Sequence, residues 1–135
     1  AIDPARDIAV IQYTGGTTGV PMGAALSHAN LSINAQQLVA IDPEERTDGR
    51  ALGALPFFHI FANTCLLNHT LMRGGEIVML PKFDAGEVLA AVKRRKLTDL
   101  AGVPAMYQAL LDHPECAKTD FGSVRQAFSG GAPMS

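Results

Sequence analysis

Along the 135-residue chain, short runs of apolar, often β-branched residues alternate with longer stretches whose apolar positions recur every three or four residues. Residues 8–13, IAVIQY, are short, β-branched and followed by glycines, which predicts a buried strand. Residues 24–26 predict a short return strand. Ser27 then stands where a helix N-cap belongs, and Leu31, Ala35, Leu38 and Val39 fall on one helical face. Residues 28–41 therefore predict an amphipathic helix, ended by Asp42-Pro43. After a polar surface loop, residues 51–55 predict a second buried strand. Residues 57–72 are apolar nearly all round, which suits a helix packed inside a larger body, closed by Arg73 and the glycine C-cap of Gly74-Gly75.

Residues 77–80 predict a third strand. Asp84 followed by Glu87 has the capping-box pattern, with Val88, Leu89 and Val92 as the buried stripe behind it. In that frame Lys93, Arg94, Arg95 and Lys96 form the last helical turn, where cations complement the negative end of the helix dipole. Residues 97–101 predict a fourth strand, Pro104 opens a helix through Leu111, and residues 124–128 predict a fifth strand running into Gly130-Gly131. Strands alternating with helices imply parallel pairing through right-handed crossovers. The expected fold class is α/β, a three-layer body around a mainly parallel sheet.

Composition narrows the function classes. With 47% hydrophobic and 18% charged residues the chain reads as one soluble globular domain. A net charge of −2 gives no reason to expect nucleic acid, and the one basic run is a solvated helix end. Cys65 and Cys116 lie far apart with no metal-site or disulfide spacing, which suggests a reducing, cytoplasmic setting. No apolar run is long enough to span a membrane, and no export signal opens the chain. A start without Met and a finish in turn residues predict a partial domain over residues 1–135, incomplete at both ends.

The stretch Thr14-Gly15-Gly16-Thr17-Thr18-Gly19 and the residues through Gly23 interleave glycines with threonine hydroxyls directly after the first strand. In an α/β sheet, ligands sit beyond the carboxyl ends of strands. Glycines let successive N–H groups turn inward as an anion nest, and threonine hydroxyls add donors or reach a phosphate-bound Mg²⁺, with Thr18 the candidate metal ligand. A plain tight turn would explain two glycines, but not three threonines among four glycines; phosphate is the expected guest. The pattern is neither GxxxxGK[ST] nor GxGxxG, so a P-loop or a dinucleotide fold is disfavoured.

Residues 13–23, YTGGTTGVPMG, resemble the YTSGTTGxPKG phosphate signature of the adenylate-forming enzymes, the acyl-CoA synthetase, luciferase and peptide-synthetase adenylation group. Further matches follow in order: SHANL at 27–31, LPFFHIF at 55–61, VPAMY at 103–107 and SGGAP at 129–133. The resemblance implies that the chain is part of the family's N-terminal domain. It also implies a two-step reaction, in which a carboxylate attacks the α-phosphate of ATP to give acyl-adenylate and pyrophosphate, and a thiol, usually coenzyme A, then takes the acyl group. On that resemblance Thr14, Gly15, Gly16, Thr17, Thr18 and Gly19 match the phosphate cradle; His59, the catalytic candidate, and its neighbouring aromatics border the acyl and thiol path; Gly130, Gly131, Ala132 and Pro133 match the nucleotide-binding strand end. A lone His at a helix start is otherwise a capping or core residue; Pro56 and Phe58 around it favour the site reading. His28 and His69 read as structural.

Two departures stand out. Met22 occupies the position where the family usually has Lys, and Gly15 replaces the commoner Ser, as in bacterial fatty acyl-CoA ligases, which points toward medium or long acyl chains. ATP, Mg²⁺, coenzyme A and a fatty acid or other carboxylate are the implied partners, and the implied localisation is cytoplasmic or peripheral to a membrane. Nothing resembles the family's downstream GYGxTE segment, ribose-binding Asp or catalytic Lys, so the isolated piece is expected to be inactive and, through residues 57–72, to self-associate. Two alternatives remain: a non-catalytic phosphate- or nucleotide-binding module, and a peptide-synthetase adenylation domain.

Overall fold

Four short strands, β3 (Arg50–Gly53), β4 (Glu76–Met79), β5 (Asp99–Gly102) and β6 (Gln126–Ser129), form a sheet in the order β4-β3-β5-β6 with every pairing parallel. This computed structural model describes residues 1–14, 21–42 and 47–133. Alternate side chains leave the sheet on opposite faces. Leu52 and Leu100 meet Val88, Leu89 and Val92 of α4 (Ala85–Arg95) and Leu110 of α5 (Pro104–Asp112). Ala51 and Ala101 meet Ala62 and Leu66 on the other face. There the cover is a helical run made of α2 (Ile60–Ala62), a π-helix (Asn63–Asn68) and α3 (His69–Met72). The small alanines let the Leu66 side chain sit close against the strands. Helices on both faces make the expected three layers, and each fully buried leucine contributes about 1.5–3 kcal/mol of transfer free energy.

Local signals explain most boundaries. Ser27 caps α1 (His28–Ile41) through a reciprocal box: its Oγ accepts from the Asn30 N–H at 3.2 Å, and Asn30 Oδ1 accepts from the Ser27 N–H at 2.9 Å. The expected face of α1 points inward, with Ala35 fully buried and Leu31, Leu38 and Val39 half-buried. Asp84 caps α4 by accepting from the Glu87 N–H at 2.9 Å. Pro104 opens α5, and Gly74, at φ +70°, follows the last turn of α3. Among the described residues, no helix is long and apolar enough to cross a membrane.

Three expectations need correction. The first strand, β1 (Ile8–Thr14), is not buried and does not join the parallel sheet; it pairs antiparallel with β2 (Met22–Ser27) as a separate two-stranded sheet. Ile8, Ile11 and Tyr13 are each more than half exposed. An apolar run alone does not distinguish a strand covered on both faces from a hairpin lying on the surface. The apolar stretch 57–72 is helical only from Ile60, because Pro56 to His59 form a turn closed by the His59 N–H to Pro56 C=O bond at 3.0 Å. Its middle is π rather than α, and Leu71 is 59% exposed, so it is not packed all round. Lys96 lies outside the last turn of α4, as a left-handed cap at φ 50°.

Candidate functional site

The helical run after β3 carries the chain to β4 along one face of the sheet, whereas α5 carries it from β5 to β6 along the other. The loops leaving β3 and β5 therefore diverge, and the crevice between them is where open α/β sheets take ligands. Three segments converge there: residues 54–59 after β3, Val103 after β5 and Gly130-Gly131 after β6. They enclose a cavity of about 230 Å³ lined by Leu55, Pro56, Phe61, Ala62, Val103 and Gly131, with Phe58 and His59 at its border. The lining is apolar apart from backbone and the imidazole.

His59 stands at the partition between this cavity and a second one, of about 560 Å³, that lies between the β1 strand and Phe57, Phe58, His59 and Asn63. Its Nδ1 accepts from the Phe61 N–H at 3.2 Å, capping α2. With Nδ1 accepting that bond, the ring hydrogen of this tautomer sits on Nε2, the nitrogen left to face a ligand. The capping and the site readings of His59 are thus compatible: one nitrogen holds the helix start, and the other belongs to an exposed face. Phe58 beside it is 83% exposed.

The turn after β6 depends on glycine twice. Gly131 has φ +80°, a conformation that side chains rarely adopt. At Gly130 a Cβ would stand 2.9 Å from the Phe61 ring, so the ring packs against bare backbone. Tyr107 of α5 braces this turn, its hydroxyl lying 2.6 Å from the Phe128 carbonyl and 3.2 Å from that of Leu100. Burial pushes the Tyr107 phenol up to about 12. Burial also raises the Cys65 thiol, which disfavours the thiolate and a nucleophilic role.

His59, Gly130, Gly131, Ala132 and Pro133 are thus found at one end of the sheet. Gly15, Gly16, Thr17, Thr18 and Gly19 lie outside the described residues; Thr14 is the last residue of β1. The flanking residues show where that stretch is anchored, since Thr14 pairs with Met22, and Gln12 and Tyr13 line the second cavity opposite His59. Met22 is 67% exposed there. Sequence reasoning set the aromatics around His59 along the acyl path, but it did not assign Leu55, Ala62 or Val103 as lining, and it missed Gln12, whose side-chain amide donates to the Phe58 carbonyl at 3.2 Å. A signal existed: strand alternation puts Gln12 in phase with half-buried Val10, an unusual place for an amide.

Comparison with known proteins places the chain in a family. The chain is 42% identical over 135 residues to a long-chain-fatty-acid–CoA ligase of Bacillus subtilis (strain 168), a match covering 98% of this chain and 24% of the relative. It is 41% identical over 128 residues to a feruloyl-CoA synthase of Amycolatopsis sp, covering 95% of this chain and 26% of that one. Its fold superposes on ATP-bound MatB from Rhodopseudomonas palustris with a TM-score of 0.86 at 40% identity, over 96% of this chain and 25% of MatB. The chain therefore spans about a quarter of the length of these relatives. The profile of the AMP-binding enzymes matches residues 1–135 throughout, and the chain belongs to that family.

Proposed function

We propose that this chain is part of an ATP-dependent acyl-CoA ligase acting on a fatty acid. A carboxylate oxygen bonds to the α-phosphorus of ATP as the bond to pyrophosphate breaks; the thiolate of coenzyme A then bonds to the acyl carbon and AMP leaves. The observation that carries this reading is the convergence of an apolar cavity, His59 and the Gly130-Gly131 turn at the switch point of the parallel sheet, beside the hairpin that bears the glycine-threonine stretch.

Leu55, Phe61, Ala62 and Val103 supply apolar walls for an acyl group, while Gly131 lines the cavity with backbone alone. In this reading Thr14, Gly15, Gly16, Thr17, Thr18 and Gly19 donate to the phosphates, and the Nε2 proton of His59 is offered to the adenylate or the incoming thiol. Mg²⁺ bound to the nucleotide would neutralise charge on the departing pyrophosphate. The Thr18 hydroxyl has the oxygen chemistry that ion takes, whereas among the described residues no group of three His, Cys, Asp or Glu could hold a metal. Free Cys65 and Cys116 suit a cytoplasmic enzyme.

The test uses the protein extended to the length of its relatives, supplied with Mg-ATP, coenzyme A and either hexadecanoic, ferulic or 4-coumaric acid. Pyrophosphate release and thioester formation that are fastest with the fatty acid support the reading. Preference for an aromatic acid overturns the fatty-acid assignment. Acid-dependent adenylation that never loads coenzyme A favours a peptide-synthetase type of domain, and nucleotide binding without pyrophosphate release favours a binding module. The 135-residue chain by itself is expected to show no turnover in the same assay, and to self-associate through exposed residues such as Phe58 and Leu71.

A further inference from the structure

The β1–β2 hairpin shares no backbone ladder with the four-stranded sheet. An isolated two-stranded ribbon is only marginally stable, so its placement depends on the contacts that tie it to the body. At the end near α1 the ties are backbone bonds, Ala29 N–H to Pro4 C=O at 2.7 Å and His28 N–H to Asp7 C=O at 3.4 Å. At the other end, among the described residues, one side chain hydrogen-bonds β1 to the His59 turn. Gln12 Nε2 donates to the Phe58 carbonyl at 3.2 Å and to the Tyr13 carbonyl at 3.3 Å. Both partners are carbonyl oxygens, so the amide nitrogen must face them and both of its hydrogens are used.

We propose that Gln12 is a positioning residue that locks the His59 turn to β1, so that the imidazole is held in one place against that strand. The Phe58 carbonyl belongs to the peptide bond leading into His59, whose own N–H and C=O are bonded to Pro56 and to the Asn63 N–H. Fixing that peptide therefore fixes the start of α2 and the direction of the ring. The proposal deepens the ligase reading and rests on it for the catalytic consequence, but the locking itself can be observed without activity.

Three variants separate the possibilities. Gln12→Glu keeps the shape but sets a carboxylate against two carbonyl oxygens; Gln12→Met keeps the length and removes the donor; Gln12→Asn retains the donor on a shorter arm. With imidazole-labelled protein, Gln12→Glu and Gln12→Met are expected to shift or broaden the His59 nitrogen resonances and leave those of the other three histidines in place. In the protein at the length of its relatives, Gln12→Met is expected to lower kcat by about 10- to 100-fold, the scale of a small misplacement, with KM for ATP changed less than about threefold. In a His59→Ala background it should lower kcat no further, because it acts through His59. Unmoved His59 resonances, or effects of Gln12→Met and His59→Ala that multiply, overturn the proposal. If the resonances move but His59→Ala is silent in both half-reactions, the lock stands and the assignment of His59 to the reaction fails.

Discussion

The two ends of the parallel sheet are made of different chemistry. At the amino ends, polar groups meet one another: Arg95 and Arg50 both reach Glu76, Arg125 pairs with Asp48 at 3.6 Å, and the Arg50 N–H donates to Thr98 Oγ1 at 2.7 Å. Nearby, Arg73 pairs with Asp42 with both side chains largely buried. At the carboxyl ends, the segments 54–59, 103–104 and 130–133 carry no Asp, Glu, Lys or Arg, and they expose the Phe58 ring and Gly131 instead. Paired charges leave little to offer a ligand, whereas bare backbone, an open imidazole and an apolar hollow leave a good deal. The first end is held by its ion pairs, and the second leaves an apolar hollow open.

Substitutions at the two ends should therefore separate stability from activity. The largest effect is expected from Thr17→Ala with Thr18→Ala, on the stretch anchored at the carboxyl end. Each hydroxyl is worth about 0.5–3 kcal/mol depending on the charge it meets, so losing both should lower adenylate formation by at least about fivefold and by up to about 10⁴-fold. The urea midpoint should not move. Adenylation at the parental rate would remove these threonines from the phosphate cradle.

The counterpart at the amino end is Arg73→Met. The Asp42 carboxylate is only 3% exposed, and losing a cationic partner at such a site destabilises by about 3 kcal/mol. Urea denaturation should show that loss, while acid-dependent pyrophosphate release per folded molecule stays unchanged. A fall in specific activity larger than the fall in folded fraction would blur the contrast between the ends.

Gly131→Ala returns to the carboxyl end. At φ +80° a side chain strains the backbone by about 1–2 kcal/mol, and its Cβ would press on Val103 at 3.4 Å. The turn is expected to shift and raise KM for the acid about tenfold. An unchanged KM would mean that the turn does not border the acyl group.

How much of this contrast could be read beforehand depends on the range of the signal. Caps and stops are local, and Ser27, Asp84, Pro104 and Gly74 all act where the sequence puts them. The motif around Leu55 to Phe61 lies at the carboxyl end of the sheet, beside the apolar cavity. The return strand expected over 24–26 is found, pairing with β1. Nothing within IAVIQY says that this hairpin stands apart from the parallel sheet, and the Gln12 to Phe58 bond closes a separation of 46 residues. The π-helix is also invisible to a 3.6-residue period, since an inserted residue looks like noise in an apolar stretch.

Tyr107→Phe probes the brace between α5 and the β6 turn through pH. The phenol rises to about 12 in the folded chain, against an ordinary value of 10.0, because burial disfavours the phenolate. A group with a raised folded value contributes stability fully below the unfolded value and loses it as pH climbs through the folded one. The parent should therefore weaken between about pH 10 and pH 12. The variant should be less stable by about 1 kcal/mol at neutral pH for want of the hydroxyl's bond, and its decline at high pH should be shallower. Equal slopes in urea titrations across that window would show that the phenol ionises freely and braces nothing.

Met22→Lys is expected to have the smallest effect, and it is the one change that adds to the carboxyl end instead of subtracting from it. Met22 opens β2 opposite Thr14, is 67% exposed and stands beside the glycine-threonine stretch. A lysine there would bring a mobile cation near bound phosphates, but in water a charge at an exposed site is worth about 1 kcal/mol or less. Affinity for ATP or pyrophosphate should rise about two- to fivefold at low salt and return toward the parental value as the Debye length shrinks to about 8 Å at physiological ionic strength. That salt dependence separates an electrostatic gain from a packing change, which salt would leave in place. Unchanged affinity at low salt would mean that the side chain at position 22, which shares a face of the hairpin with Thr14 and Gln12, does not face the phosphates.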